Sequence, residues 1–112
     1  MRRQKFGAVR TTIDGLTFAS KHEARRYREL ALLARAGEIV DLECQPRYPI
    51  DVISPIGEVI RCGVYTADFR YRDGQTGRIV VEDAKSGPTR TTAYRLRKRL
   101  VEALHMITVE EV

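Results

Sequence analysis

Two segments with helical spacing flank a long stretch of strand and turn signals, and this order limits the folds open to the chain. A capping box begins at Ser20 and predicts a helix over residues 20–36, with Gly37 suited to its C-terminal cap. Apolar residues at helical spacing predict a second helix over residues 91–104. The order favours two helices packed against a sheet that the central stretch forms.

Strand signals in the remaining segments predict an α/β or α+β domain. Asp14-Gly15 lies between two short runs rich in β-formers and predicts a leading hairpin over residues 9–18. Residues 45–53 and 58–71 are predicted to form a second hairpin, and a strand that starts at Arg78 is predicted to pair with residues 58–71. A short strand over residues 106–109 ends the chain. The predicted order is hairpin, helix, three strands, helix and strand around a central mixed sheet.

The composition fits one small basic domain. The chain has 112 residues, 43% of them hydrophobic, and 20 Lys and Arg against 15 Asp and Glu, which gives a net charge of +5. We predict a single domain over residues 1–112, with residues 1–19 as a basic hairpin extension. No apolar run approaches the length of a membrane span, and no secretion signal follows Met1, so a cytoplasmic location is expected. Cys44 and Cys62 lack metal-binding spacing and are interpreted as reduced thiols.

Basic residues are concentrated in two segments. Residues 1–10 contain four basic side chains and no acid, and residues 85–99 contain six and no acid. A single basic run is most often a solvated surface, but two acid-free basic segments at opposite ends of a short chain favour a nucleic-acid partner.

Strand geometry singles out three charged residues. If the loop between the second and third central strands is centred between Gln75 and Thr76, antiparallel pairing places Asp68 opposite Asp83, with Lys85 one pleat further and opposite Thr66. Two opposed carboxylates repel, and a divalent cation such as Mg²⁺ compensates well for that repulsion. Two alternatives stay open: Lys85 alone neutralises the pair, or the register differs and the carboxylates never meet.

The same residues resemble a known signature. Asp68 followed after a turn by Val81-Glu82-Asp83-Ala84-Lys85 resembles the D…(D/E)XK motif of the restriction-endonuclease-like PD-(D/E)XK nuclease superfamily, whose αβββαβ core is similar to the predicted order. The whole chain is similar to a phage- and prophage-encoded family of unknown function that is grouped with Holliday-junction-resolvase-like nucleases. Four segments carry this similarity: residues 18–27, 37–46, 65–69 and 81–85.

The resemblance implies an Mg²⁺- or Mn²⁺-dependent endodeoxyribonuclease. Asp68, Asp83 and the carbonyl of Ala84 would be metal ligands, and Lys85 would position or polarise the attacking water. The implied partner is branched or duplex DNA in a bacterial host cell. Dimerisation is implied only by the resemblance, since no sustained heptad and no obvious apolar patch in the sequence identifies an interface.

Four further residues have both a functional and a structural interpretation. Glu23 matches an acidic residue of the superfamily's first helix and lies on the apolar stripe, but the capping box also explains it. Glu82 alternates to the face opposite Asp83 and is assigned to structure, with an Arg as its partner, unless a shifted register exchanges the two. Gln45 could hold a phosphate or a water, or make a strand-start hydrogen bond. Tyr94 could reach DNA, but an aromatic anchor in the core is the favoured interpretation.

Basic side chains are the candidates for phosphate contacts. They are Arg90, Arg95 and Lys98 near or in the second helix and Arg2, Arg3 and Lys5 at the N-terminus. A different functional class, a non-catalytic DNA-binding accessory module on a nuclease fold, is also open, and an RNA-processing nuclease is a third reading.

Overall fold

The computed structural model describes residues 10–85 and 90–112, and within them the chain forms eight strands and two helices. In chain order they are β1 (Thr11–Ile13), β2 (Leu16–Phe18), α1 (Lys21–Arg35), β3 (Ile39–Cys44), β4 (Arg47–Ile53), β5 (Val59–Thr66), β6 (Phe69–Asp73), β7 (Ile79–Asp83), α2 (Thr92–His105) and β8 (Val109–Glu111).

The leading hairpin has the predicted turn. Thr11 pairs with Phe18 and Ile13 with Leu16, and the two residues between the strands both have positive φ, 53° at Asp14 and 77° at Gly15. This is the conformation that a type I′ turn requires and that an Asp-Gly pair adopts at low cost. The first residues of the predicted hairpin lie outside the described part of the chain.

Both predicted helices are confirmed. Ser20 caps α1 by accepting a hydrogen bond from the backbone N–H of Glu23 at 3.1 Å, and Thr91 caps α2 in the same way from Tyr94 at 3.1 Å. Met106 has a left-handed conformation with φ of 54° and ends α2. For that reason the last strand begins at Val109, three residues later than predicted.

The segment between the helices contains five strands where three were predicted. Strand β3 was missed, and the predicted strand over residues 58–71 is two strands, β5 and β6. Ala67 and Asp68 separate them: the N–H of Ala67 donates to the carbonyl of Pro46 at 3.1 Å, and the N–H of Gln45 donates to the carbonyl of Asp68 at 2.8 Å. The chain therefore leaves one sheet between β3 and β4 and returns to it between β5 and β6.

Two sheets result from this change. Strands β3, β6, β7 and β8 form a four-stranded mixed sheet in that order, antiparallel except for the parallel pair β7–β8, whereas β4 and β5 pair only with each other. The predicted central mixed sheet with two helices and an N-terminal hairpin is confirmed. The β4–β5 hairpin is inserted between β3 and β6. Without it, the order is α1, β3, β6, β7, α2 and β8, which matches the predicted helix, three strands, helix and strand, although the first of the three strands is β3 and not the predicted residues 45–53.

The helices cover opposite faces of the central sheet. Phe69 packs with α1, and Val81, on the opposite side of the pleat, packs with α2. The α1 side contains Phe18, Ala24, Leu30, Ile39 and Phe69, and the α2 side contains Tyr48, Ile50, Tyr65, Ala67, Val81, Tyr94, Val101 and Val109. Neither helix is long and apolar enough to cross a membrane.

A buried ion pair joins α1 to the sheet. Glu82 is 1% exposed, and Arg26 donates to both of its carboxylate oxygens, from Nε at 2.8 Å and from Nη2 at 2.7 Å. The hydroxyl of Tyr71 donates to the same carboxylate. Glu82 thus has the structural role and the Arg partner that alternation along β7 predicted. This bidentate geometry is the strongest form of an Arg–carboxylate contact.

Replacement of Arg26 is expected to destabilise the protein strongly. Arg26→Ala leaves the buried Glu82 carboxylate without its cation and should lower the free energy of unfolding by about 3–5 kcal/mol. Urea denaturation followed by circular dichroism measures this. Arg25→Ala, at an exposed position on the same helix, is the matched control and should change it by less than about 0.5 kcal/mol. Adding Glu82→Gln to Arg26→Ala should restore part of the lost free energy of unfolding. If Arg26→Ala and Arg25→Ala are equally stable, the buried-pair interpretation is wrong.

Candidate functional site

Asp68 and Asp83 lie together at the end of the β6–β7 ladder. Phe69 pairs with Glu82 and Arg70 with Val81, which is the predicted register. One step further, the N–H of Asp68 donates to Asp83 Oδ1 at 3.0 Å, and the N–H of Ala84 donates to Asp68 Oδ2 at 2.7 Å. The two carboxylates are therefore neighbours, and backbone N–H groups lie between them and reduce their repulsion.

Asp83 is almost completely buried, with 1% of its surface exposed. Burial raises its pKa to about 6, although the charge of Lys85 and the hydrogen bond from Asp68 act in the opposite direction. The hydroxyl of Tyr65 donates to Asp83 Oδ2. Burial likewise raises the pKa of Asp68. Two carboxyl groups whose pKa values burial raises thus lie side by side, and such perturbed groups are characteristic of functional sites.

Glu23 belongs to the same electrostatic cluster. It lies in the first turn of α1 and is 6% exposed. Burial, followed by the charge of Asp68, raises its pKa to about 7, whereas a hydrogen bond from the Ala19 backbone and the charge of Lys85 lower it. Glu23 thus lies at the helix start and is also close enough to Asp68 and Asp83 for their charges to act on it, so the two interpretations of the sequence are compatible.

Lys85 is held against an aromatic ring. Its Nζ lies 4.7 Å from the centroid of the Tyr94 ring, at the distance of a cation–π contact. Tyr94 is buried in the core of the α2 side, and its hydroxyl donates to Glu111 Oε2 at 2.9 Å. Tyr94 is therefore the predicted aromatic anchor, and it also supports the lysine of the motif.

Two of the predicted phosphate contacts are engaged within the protein. Arg90 Nε lies 3.1 Å from Glu111 Oε1, and Lys98 Nζ lies 3.7 Å from Glu111 Oε2. Arg95 is exposed and has no ion pair among the described residues. Arg2, Arg3 and Lys5 lie outside the described part of the chain.

Gln45 contributes its backbone at the site. It has a φ of 57° and is exposed, and its N–H donates to the carbonyl of Asp68. Within the described residues its side-chain amide has no hydrogen bond. Its left-handed conformation makes the corner at which the chain passes from β3 to β4.

An open pocket of about 370 Å³ borders the site. Its lining includes Asp83, Lys85 and Tyr94 together with Thr66 and Arg97. Thr66 was predicted opposite Lys85, but it pairs with Arg47 because β5 belongs to the other sheet. Thr66 and Lys85 nevertheless line the same pocket.

Three contributors were missed by the sequence prediction. Arg97 could have been found from the basic run. Tyr65 is three residues from Asp68, so the alternation of a single strand places it on the face opposite Asp68. Glu111 gave no signal, since its contacts depend on the parallel pairing of β8 with β7. Among residues 10–85 and 90–112, no three His, Cys, Asp or Glu side chains converge closely enough to form a metal cluster by themselves.

The stability of the metal-free protein should fall as the pH rises from about 4.5 to above 7. Glu23 binds a proton in the folded state up to a pKa of about 7, whereas its ordinary value is 4.5, so the folded state holds more protons in this window. Glu23→Gln should reduce this pH-dependent decrease in the free energy of unfolding by up to about 3 kcal/mol. The free energy of unfolding is measured by urea denaturation at several pH values in the presence of a metal chelator. Glu38→Gln, at an exposed position, should leave the wild-type pH dependence unchanged, and parallel curves for wild type and Glu23→Gln would contradict the expectation.

Comparison with known proteins gives a family but no characterised relative. No curated protein and no solved structure matches the chain. One family model matches residues 3–109, a span that includes both helices, strands β1 to β7 and the residues around Asp68 and Asp83. The chain therefore belongs to the family described as "Protein of unknown function (DUF1064)".

Proposed function

We propose that this protein is a metal-dependent DNA endonuclease that hydrolyses phosphodiester bonds in phage-type DNA processing or recombination, with branched DNA of the Holliday-junction type as the favoured substrate. The observation that carries the proposal is the neighbouring pair Asp68 and Asp83, whose charges raise the pKa of Glu23 and whose own pKa values the charge of Lys85 lowers. The order α1, β3, β6, β7, α2, β8 agrees with the PD-(D/E)XK core that the sequence resembles.

The donor set suits Mg²⁺ or Mn²⁺. These ions prefer oxygen ligands, and Mg²⁺ is commonly held by one or two carboxylates with waters in the remaining positions. Asp68 and Asp83, with the Ala84 carbonyl, would hold the ion, and Asp68 Oδ1 accepts no hydrogen bond from any described residue. Burial is the main cause of the raised pKa values of Glu23, Asp68 and Asp83, so a cation at this position would replace the water that these carboxylates lack. A bound divalent cation supplies neutralising charge for phosphate oxygens and activates water for attack.

The residues of the chain bind and orient the phosphate. Lys85, supported by the Tyr94 ring, lines the pocket beside Asp83 and can stabilise negative charge that develops on the phosphate. Thr66 and Arg97 line the same pocket, where a hydroxyl and a guanidinium can hold a phosphate oxygen. Tyr65 fixes the Asp83 carboxylate through its hydroxyl, so the position of this side chain does not depend on the ligand.

Basic side chains near the pocket fit a DNA backbone. Arg95 is exposed on α2, and Arg97 lies at the pocket, so these two residues are better candidates for direct phosphate contact than Arg90 and Lys98, which share Glu111. The N-terminal basic residues Arg2, Arg3 and Lys5 remain predictions from the sequence. Such contacts give affinity that falls steeply with salt.

Loss of either aspartate is expected to abolish cleavage. Asp83→Asn and Asp68→Asn remove negative charge from the proposed cation site, and Lys85→Met removes the cation beside it, so each should lower the cleavage rate by about 100-fold or more. The assay incubates four-way-junction, nicked and linear duplex DNA with Mg²⁺ or Mn²⁺ and measures product on denaturing gels. A matching RNA duplex is the competitor that distinguishes the two nucleic acids.

Asp41→Asn, at an exposed position on β3, is the matched control and should cleave at the wild-type rate. Circular dichroism and urea denaturation of each variant separate loss of chemistry from loss of fold. If wild type cleaves none of the substrates but binds DNA with strong salt dependence and no response to metal or to these substitutions, the endonuclease proposal is wrong and the accessory-module alternative is supported.

A further inference from the structure

The β4–β5 hairpin ends in an exposed apolar surface, which we call the hairpin tip and define as residues 52–60. Its aliphatic residues are unusually accessible: Val52 is 45% exposed, Ile53 75%, Ile56 81%, Val59 67% and Ile60 46%. Single exposed aliphatic residues are common on protein surfaces, but five of them within nine residues indicate an interaction surface.

The tip is apolar on both of its faces. Val52 pairs with Ile60 and Ile53 with Val59, and consecutive strand residues point in opposite directions. Alternation of apolar and polar residues is expected where one face of a strand pair meets water, whereas apolar residues on both faces are typical of strands covered on both sides. Among residues 10–85 and 90–112, no other strand pairs with β4 or β5, so the apolar surface of the tip is open to a further molecule.

A second exposed apolar surface lies on α2. Leu96 is 59% exposed, Leu100 39% and Leu104 47%, and their spacing of four residues aligns them along the helix. We call this set the α2 stripe. It lies on a different side of the helix from Tyr94 and Val101, which are buried against the sheet.

The charges of the two surfaces are complementary. Glu58 is the one charged residue of the hairpin tip, and it is exposed and has no ion pair among the described residues. Arg99 accompanies the α2 stripe on the same helix, is exposed, and likewise has no ion pair within the described part. Contact between two tips would bring two Glu58 carboxylates together, whereas contact between tip and stripe brings Glu58 to Arg99.

We propose that the hairpin tip of one copy of this chain packs on the α2 stripe of a second copy, and that the contact is reciprocal. In such a twofold dimer each copy contributes both surfaces, so the same contact forms twice. From the exposed fractions, the α2 stripe and one face of the hairpin tip in each copy would together bury on the order of 1,000 Å² over the two copies, which reaches the lower end of the size of a specific interface. This inference concerns a surface outside the candidate site and does not depend on the proposed activity.

Sedimentation velocity of the full chain over about 1–100 µM tests the proposal at concentrations where moderate interfaces form. Wild type should sediment as a dimer at the upper end of the range. Ile53→Lys and Leu96→Lys each place a charge in the interface and should raise the dimer dissociation constant by about 10-fold or more. Leu32→Lys, at a position on α1 that is 63% exposed and outside both surfaces, is the matched control and should remain as dimeric as wild type.

A charge exchange identifies the two surfaces as partners. Glu58→Arg and Arg99→Glu should each weaken the dimer, and the double variant should recover much of the loss because the pair is restored in reverse. Circular dichroism shows whether each variant is folded. Wild type that stays monomeric up to 100 µM overturns the proposal. A dimer that Ile53→Lys weakens but Leu96→Lys does not, or one that the charge exchange fails to restore, overturns the tip-to-stripe pairing.

Discussion

The arrangement of the candidate site depends on the backbone of Asp68, which lies where the chain passes from one sheet to the other. Its carbonyl accepts from the N–H of Gln45, and its N–H donates to Asp83, so one peptide segment joins the β3–β4 corner to the end of β7. Its side chain accepts from the N–H of Ala84. Because these hydrogen bonds use the main chain, the position of both carboxylates follows from the path of the backbone and not from side-chain packing alone.

Local signals predicted the parts of the fold that local interactions determine. The Asp14-Gly15 turn and the Ser20 and Thr91 caps are each satisfied within a few residues, and the structure has them where the sequence placed them. Strand β3 was missed because its register shifts between Val40 and Glu43 and Asp41 has a φ of 57°, so no alternation marks it. The division of residues 58–71 between two sheets could not be predicted, since residues 65–71 alternate between apolar and polar side chains across the boundary and the change of partner is a tertiary effect.

The motif residues could be predicted because a tight turn fixes the register of β6 and β7. Asp73 accepts from the N–H groups of Gln75 and Thr76 in that turn, so the pairing of the two strands is set locally and Asp68 follows from it. The support around the motif could not be predicted in this way. Glu111 reaches Tyr94, Arg90 and Lys98 only after α2 returns the chain to the sheet, and the roles of two predicted phosphate contacts change as a result.

The buried pair of Arg26 and Glu82 has a consequence for the aspartates on the other side of the strand. Glu82 and Asp83 are consecutive, so they point to opposite faces of β7, where one meets a guanidinium and the other a tyrosine hydroxyl and a backbone N–H. A slip of β7 by one residue would turn Asp83 toward α1 and leave Glu82 among the groups that serve Asp83. The partners on both faces of β7 therefore favour the same register. The ion pair between Arg26 and Glu82 under α1 thereby helps to place Asp83, and not Glu82, beside Asp68 on the opposite face.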